Sequence, residues 1–414
     1  MPFRSFMPVL LLAVITMLGQ QMIATVAKTA IPVLFKAIAD DLDFDSQWVL
    51  VFTWLFACAG IVVMLGCGAY LIRYGALRMS QWGCVVMGVG LVLSAASFGG
   101  AWGALPVLAV VAVLVSVGVT VATPASSQIL ARYAPPRWAP LVFSVKQTGV
   151  PAGVVIASFA APALALAFGW RAAAVVLGSV CILIALGLQP FRREFDADRR
   201  PDHPLTFGSI SETFFLVIRE PALRLLAGSA FAFIGLQAIY TNFTVVYLTE
   251  RLGFTLAEAG TALGIATITA VPGRILWGWV GSTLVPPQLL LCLLAAAMAV
   301  GAAAMGFFDA TWSYAAVLAP LLVISLTALS WHGLLLAEVA RLTPGPETGR
   351  MTGGVLAFGT AGQIVFPLLF FGGYFAAGYL AAYVAVALPA ALAGAALLRG
   401  YLGLARREDV LERR

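Results

Sequence analysis

Three cations stand where a chain of this kind rarely tolerates charge: Lys28, Lys146 and Arg274 each lie inside a long apolar run. An ionisable group at the middle of such a run costs several kcal/mol, roughly 2.5 to 3.5 on insertion scales, so it marks a functional position. Buried cations favour an anionic ligand, and a planar guanidinium matches a carboxylate in bidentate fashion. Gln21, Thr25 and Lys28 recur at i, i+4 and i+7, a polar stripe on one helical face that Pro32 continues. That stripe reads either as the wall of a solvated pathway or as a lysine snorkelling with Lys36 to the nearer interface. Lys146 shares a face with Gly149, Val150, Gly153 and Ala157, and small residues there let another helix approach, which turns the lysine inward. Its two readings are ligand binding, with Gln147 beside it, and a gate residue bonding carbonyls at a helix end. Arg274 shares a stripe with Thr267, Ala270 and Gly278, and either meets substrate or pairs with Glu338.

Further polar candidates are Gln237, Tyr240, Thr241 and Asn242 in one run, Gln128 in another, and His332 and Gln363 later in the chain. His332 either titrates near neutral pH and couples protons or serves as a structural donor. Trp277, Trp279 and Trp331 read as cavity walls or as ordinary packing, packing being favoured. No Asp or Glu falls at the middle of a run; the deepest is Glu338. With two histidines and five cysteines dispersed in apolar runs, no metal site or disulfide is expected. No phosphate-binding G-x-x-x-x-G-K-[ST] loop occurs, so neither ATP nor any other cofactor is called for. No catalytic cluster suggests an enzyme.

The elements that must position these residues follow from composition. Of 414 residues, 62% are hydrophobic and 10% charged, with mean hydropathy +0.99. A soluble chain carries about 25% charged residues, so lipid is the expected solvent. About 20 apolar residues cross the hydrocarbon as a helix. Twelve such runs are predicted: 7–34, 47–71, 79–98, 104–131, 140–167, 172–189, 221–248, 257–281, 287–307, 313–341, 352–375 and 380–402. The first is too long for a signal peptide and lacks a small-x-small cleavage site before Gln20 and Gln21, so it is read as a retained helix. Arginines crowd one side of this topology, including Arg4, Arg73, Arg78, Arg132, Arg192, Arg193, Arg350, Arg406, Arg407, Arg413 and Arg414. The other side holds Lys36, Arg171, Arg251 and the acids Asp40, Asp41, Asp43 and Asp45. By the positive-inside rule both termini are expected in the cytoplasm. The net charge of +6 thus reflects orientation, and nucleic-acid binding is not expected.

A charged stretch from Gln189 to Glu220 reads as a solvated cytoplasmic linker. It divides the chain into an N-terminal six-helix bundle (1–190), a linker (191–219) and a C-terminal six-helix bundle with a short tail (220–414). Gly68–Arg73 and Gly278–Thr283 close the second and eighth runs 210 residues apart, and Ala131–Pro135 and Ala340–Pro344 close the fourth and tenth 209 apart. That is the mark of a duplicated unit. With these features the chain resembles the major facilitator superfamily. The family's loop pattern G-x-x-x-D-R-x-G-R-K appears as Gly68, Ile72, Arg73, Gly75, Ala76 and Leu77, without its acid; Ser282 stands at the acidic place in the second half. Lys146–Gly153 loosely resembles the family's fifth-helix motif, and Arg274-x-x-x-Gly278 with the Lys28 to Lys36 spacing resembles its oxalate and monocarboxylate porters. The resemblance implies two pseudo-symmetric helical bundles, a cavity lined by helices one, four, seven and ten, and gating by Gly68, Arg73, Gly75, Glu338 and Arg341.

The expectation is an all-α membrane protein of twelve transmembrane helices and a secondary transporter, not an enzyme. It would move a small organic anion such as a monocarboxylate by alternating access. Binding would fall to Gln21, Thr25, Lys28, Lys146, Gln147, Gln237, Tyr240, Asn242, Arg274 and His332. The alternative is an efflux pump for neutral or hydrophobic compounds, drugs included. The expected setting is the cell inner membrane, as a monomer in the lipid bilayer, with proton coupling as an option.

Overall fold

The computed structural model describes residues 3–205 and 209–412, and among them every regular element is helical. Long apolar helices run over Pro8–Asp41, Ser46–Tyr74, Ala76–Ser94, Gly100–Tyr133, Pro136–Phe168, Trp170–Phe195, Pro221–Leu252, Leu256–Thr283, Pro287–Met305, Tyr314–Leu342 and Glu347–Gly403. The last divides at Ala377 and Gly378, whose backbone leaves the helical region (Gly378 φ 76°). Twelve spans result, numbered here in chain order. Side chains such as Leu166, Phe159 and Phe375, 90%, 76% and 81% exposed, point outward, as a lipid-facing surface requires. Arg413 and Arg414, and the side chains of Arg4, Arg406 and Arg407, lie outside the described residues.

Local chemistry sets the helix ends. Pro136, Pro221 and Pro287 open their helices, where the missing N–H costs nothing. Thr255 and Glu258 form a capping box at the start of span 8. Span 1 runs on to Asp41, seven residues past its expected end, because nothing in Phe35–Asp41 breaks a helix that has left the hydrocarbon.

Spans 4, 5, 8 and 10 are each interrupted, at Val121, Thr148, Thr269 and Leu329–Trp331. Val121 and Leu329 stand 208 residues apart, within two residues of the sequence repeat. The duplication therefore reproduces the break as well as the end of the helix.

By contact the chain divides into two compact units. Unit 1 holds residues 1–134, 146–216 and 343–357; unit 2 holds 135–145, 217–342 and 358–414. The first turns of span 5 thus belong to unit 2 and those of span 11 to unit 1. Within unit 1, span 1 lies against the second part of span 5. A Cβ on Gly153 would come 2.5 Å from the Met22 carbonyl oxygen, so only glycine permits that approach. The linker packs onto the arginine-rich ends of spans 2 to 4: Phe195 and Asp196 are buried, and the Arg200 amide donates to Ile72 O at 2.7 Å. Most of the linker is exposed, as its charge suggested, but Phe195 and Asp196 anchor it to the unit. Within unit 2, Tyr247, Phe370, Tyr379 and Tyr383 form an aromatic cluster of edge-to-face and tilted pairs.

Candidate functional site

In unit 1 the breaks in spans 4 and 5 bring polar side chains of three spans together. Lys146 Nζ donates to Gln21 Oε1 (2.7 Å) and to Gln147 Oε1 (3.2 Å). Thr123 Oγ1 donates to the same Gln21 oxygen at 3.1 Å. Thr25 Oγ1 returns to the Gln21 carbonyl at 2.9 Å, a bond within span 1. Gln21, Thr25, Lys146 and Gln147 are all buried, and the amide oxygens of this nest stabilise the cation.

Lys28 lies two turns further along span 1. Its neighbours Val26, Ala27, Ala30 and Ile31 are buried in the unit's core, whereas Lys28 itself is exposed, as are Pro32 and Lys36 at i+4 and i+8. The ammonium sits 5.7 Å from the centre of the Phe56 ring, a cation–π contact. Among the described residues no carboxylate lies within ion-pairing distance of it; the neighbouring lysine, Lys36, pairs with Asp40.

In unit 2 the break in span 10 leaves carbonyls without helical partners. Arg274, 2% exposed, meets one of them, its Nε donating to Leu329 O at 3.0 Å. Trp277 Nε1 donates to Leu326 O at 2.8 Å, and Ser330 Oγ to Ala270 O at 3.3 Å. His332 follows the break, its ring stacked on Trp331 at 3.9 Å, and Trp331 packs edge-on against Phe233. Arg274 and His332 therefore flank one feature. On span 7 the Tyr240 hydroxyl turns into the core and donates to Leu321 O at 3.0 Å; Gln237 is half-buried, and Thr241 and Asn242 are exposed. Glu338 is held by Arg341 (2.9 Å) and Gln288 (3.1 Å).

The loop glycines have a different setting. Gly68 packs against Arg350, whose Cγ would lie 2.3 Å from an added Cβ. Arg350 is buried and reaches Glu212 (2.9 Å) and Thr213 (2.9 Å) on the linker helix Ser209–Arg219. Arg73 Nη1 donates to His203 O at 3.0 Å. Gly75, at φ 98°, is the cap residue of span 3 and offers no side chain to its open amides. Asp196 of the linker supplies the acceptors: Leu77 N donates to Oδ1 at 2.7 Å and Arg78 N to Oδ2 at 3.1 Å. Burial pushes the Asp196 carboxyl above its ordinary range, while those two amides and Arg192 act in the opposite direction.

Sequence reasoning missed Asp196 and Arg350. The signal for Asp196 was the empty acidic position at Ile72, which left a helix N-terminus needing a carboxylate from elsewhere. Arg350 was read only as a basic end residue, and nothing in its spacing pointed to Gly68.

Spans 4 and 10 are interrupted at matching places of the two repeats, and Lys146 and Arg274 lie beside breaks in spans 5 and 10, features of a duplicated helical membrane protein. The sequence model of the Major Facilitator Superfamily matches residues 9–367, and the chain belongs to that family. It is a secondary transporter, not an enzyme. No curated protein matches it in sequence. Among solved structures it is similar to the proton:xylose symporter XylE bound to 6-bromo-6-deoxy-D-glucose (14% identity, 94% of this chain and 95% of that one, TM-score 0.72). It is similar also to the E. coli fucose:proton symporter FucP (16%, 94% and 98%, TM-score 0.73). The human organic anion transporter MFSD10 gives 15% identity over 96% of this chain and 100% of that one, with TM-score 0.74. At such identities the likeness concerns the fold.

Proposed function

We propose that this transporter carries a small organic anion, such as a monocarboxylate, by alternating access. In this reading the arginine-rich end and both termini face the cytoplasm, the protein works as a monomer in the cell inner membrane, and residues 1–190 and 220–414 are the moving halves. The observation that carries the reading is Lys28: an open ammonium on an otherwise buried stretch of span 1, resting on Phe56 with no described carboxylate to neutralise it. A cation with no carboxylate beside it leaves its charge available to an incoming anion. Lys146, in the same unit, adds positive potential from within its amide nest. A fold shared with a human organic anion transporter is compatible with this, and the proton symporters of the same fold make His332 the residue to test for coupling.

Uptake of a labelled carboxylate panel into proteoliposomes, wild type against Lys28→Ala, tests the proposal. Loss of uptake with normal folding supports it. Wild-type rates for every transported anion in Lys28→Ala would remove it. One observation favours the second reading, export of neutral or hydrophobic compounds: Arg274 Nε is committed to Leu329 O, which leaves that arginine less free to grip a carboxylate. Under that reading Lys28→Ala is silent.

A further inference from the structure

A cavity of about 710 Å³ opens on the linker of unit 1, lined by Gln189, Arg192, Arg193, Asp196, Arg199 and Pro201 among others. One stretch of chain forms its walls, yet neighbouring helices fix that stretch in place. Gln81 Nε2 donates to Gln189 Oε1 and to Ala185 O, both at 2.9 Å. Arg200 N is tied to Ile72 O, and Phe195 is buried. The concavity is therefore built by packing, not left by a loose loop.

Its charges are sorted by side. Glu194 and Asp198 turn towards span 4, where Arg132 approaches them at 4.0 and 3.7 Å. Tyr133 donates to Glu194 at 2.8 Å and Gln128 to Asp198 at 3.3 Å. Asp196, the one acid of the lining, is buried and turned onto the Leu77 and Arg78 amides. Arg192 lies 3.5 Å from it. Arg193 and Arg199 are exposed, and among the described residues neither has an ion-pair partner. The acids face the protein and the arginines face the opening.

We propose that this cavity binds a phosphate-bearing anion, with Arg193 and Arg199 contacting the phosphate oxygens and Arg192 shared between ligand and Asp196. Guanidinium groups grip phosphate in bidentate fashion. The volume is in the range of small-ligand sites, about 300 to 1,000 Å³, and exceeds what one inorganic phosphate fills. The lining begins at Gln189, just past the continuous helix that ends at Gly187, and basic pockets beside membrane spans take anionic lipids. A phospholipid headgroup and a free phosphorylated compound offer the same chemistry. Either would draw on Arg192 and so act on the carboxylate that caps span 3.

The test uses the full-length protein in neutral detergent, titrated with sodium pyrophosphate against sodium chloride at matched ionic strength, with thermal unfolding as the readout. A second arm compares nanodiscs of phosphatidylcholine with and without phosphatidylglycerol. Arg193→Gln/Arg199→Gln removes two exposed side chains that do not hold the linker, and Arg224→Gln, also exposed at the arginine-rich end, is the control. Stabilisation of the wild type, with apparent affinity weakened about tenfold or more in the double variant only, is the expected result. Pyrophosphate alone stabilising identifies a free ligand, and phosphatidylglycerol alone a headgroup. No stabilisation in either arm, or the same stabilisation in the double variant, overturns the proposal, as does an equal loss in Arg224→Gln.

Discussion

The joint between the linker and span 3 gives a sharp quantitative test. Gly75 adopts φ 98° and ψ 149°, a region that non-glycine residues enter at a cost of about 1–3 kcal/mol. A Cβ there would also lie 2.3 Å from Asp196 Cγ, so Gly75→Ala must expel the carboxylate that caps Leu77 and Arg78. An N-cap acceptor contributes about 1–2 kcal/mol. Charged hydrogen bonds alone would suggest more, but the desolvation that pushes the Asp196 carboxyl upward offsets part of that gain. Asp196→Ala should therefore destabilise by about 1–2 kcal/mol and Gly75→Ala by about 2–5 kcal/mol. In the double variant the methyl group no longer meets a carboxylate and the cap can be lost only once. Its destabilisation should fall short of the sum of the singles by the cap value, about 1–2 kcal/mol. Reversible unfolding in detergent micelles, followed by tryptophan fluorescence, measures all four corners. Strict additivity would refute the reasoning, since it would mean that Gly75 and Asp196 do not share one interaction.

Other residues give outcomes of different kinds. Arg274→Met removes the donor to Leu329 O and should cost about 1–3 kcal/mol of stability, read as a lower unfolding midpoint; an unchanged midpoint would show that the span 10 break does not depend on it. Tyr240→Phe removes a bond into the core and should lower stability by about 0.5–1.5 kcal/mol while leaving transport affinity intact, a pattern that a substrate contact would reverse. At the turn between spans 9 and 10, Thr311 donates both its amide and its hydroxyl to Asp309, which lowers the carboxyl pKa. The stabilisation is thus present above the ordinary carboxylate range and fades as pH falls through the depressed value. Asp309→Asn should flatten that acid limb of the melting profile relative to wild type.

Hydropathy alone was enough to place the twelve spans, because a helix facing lipid must be apolar over its whole length. It could not place the breaks in spans 4, 5, 8 and 10: Val121, Thr148 and Thr269 are ordinary helical residues by type, and only tertiary partners such as Gln21 for Thr123 accommodate the interruption. The polar stripe on span 1 was legible from the spacing of Gln21, Thr25 and Lys28. That the same stripe would bury Gln21 and expose Lys28 was not, since it depends on which neighbouring helices cover each turn of span 1. The linker shows the limit most clearly. Its charge reads as solvation, yet Asp196 faces inward because span 3 begins with a glycine that cannot cap itself. Charge composition reports how many ions a segment carries, and only packing decides which way each one turns.

The claim that matters most is that an open ammonium on span 1 selects the solute by charge. The most direct measurement is the dissociation constant of a transported carboxylate and of its uncharged amide isostere, by calorimetry, in wild type and in Lys28→Gln. The account predicts that the wild type prefers the carboxylate by about tenfold or more and that Lys28→Gln binds the two alike. A preference for the carboxylate that survives unchanged in Lys28→Gln would contradict it.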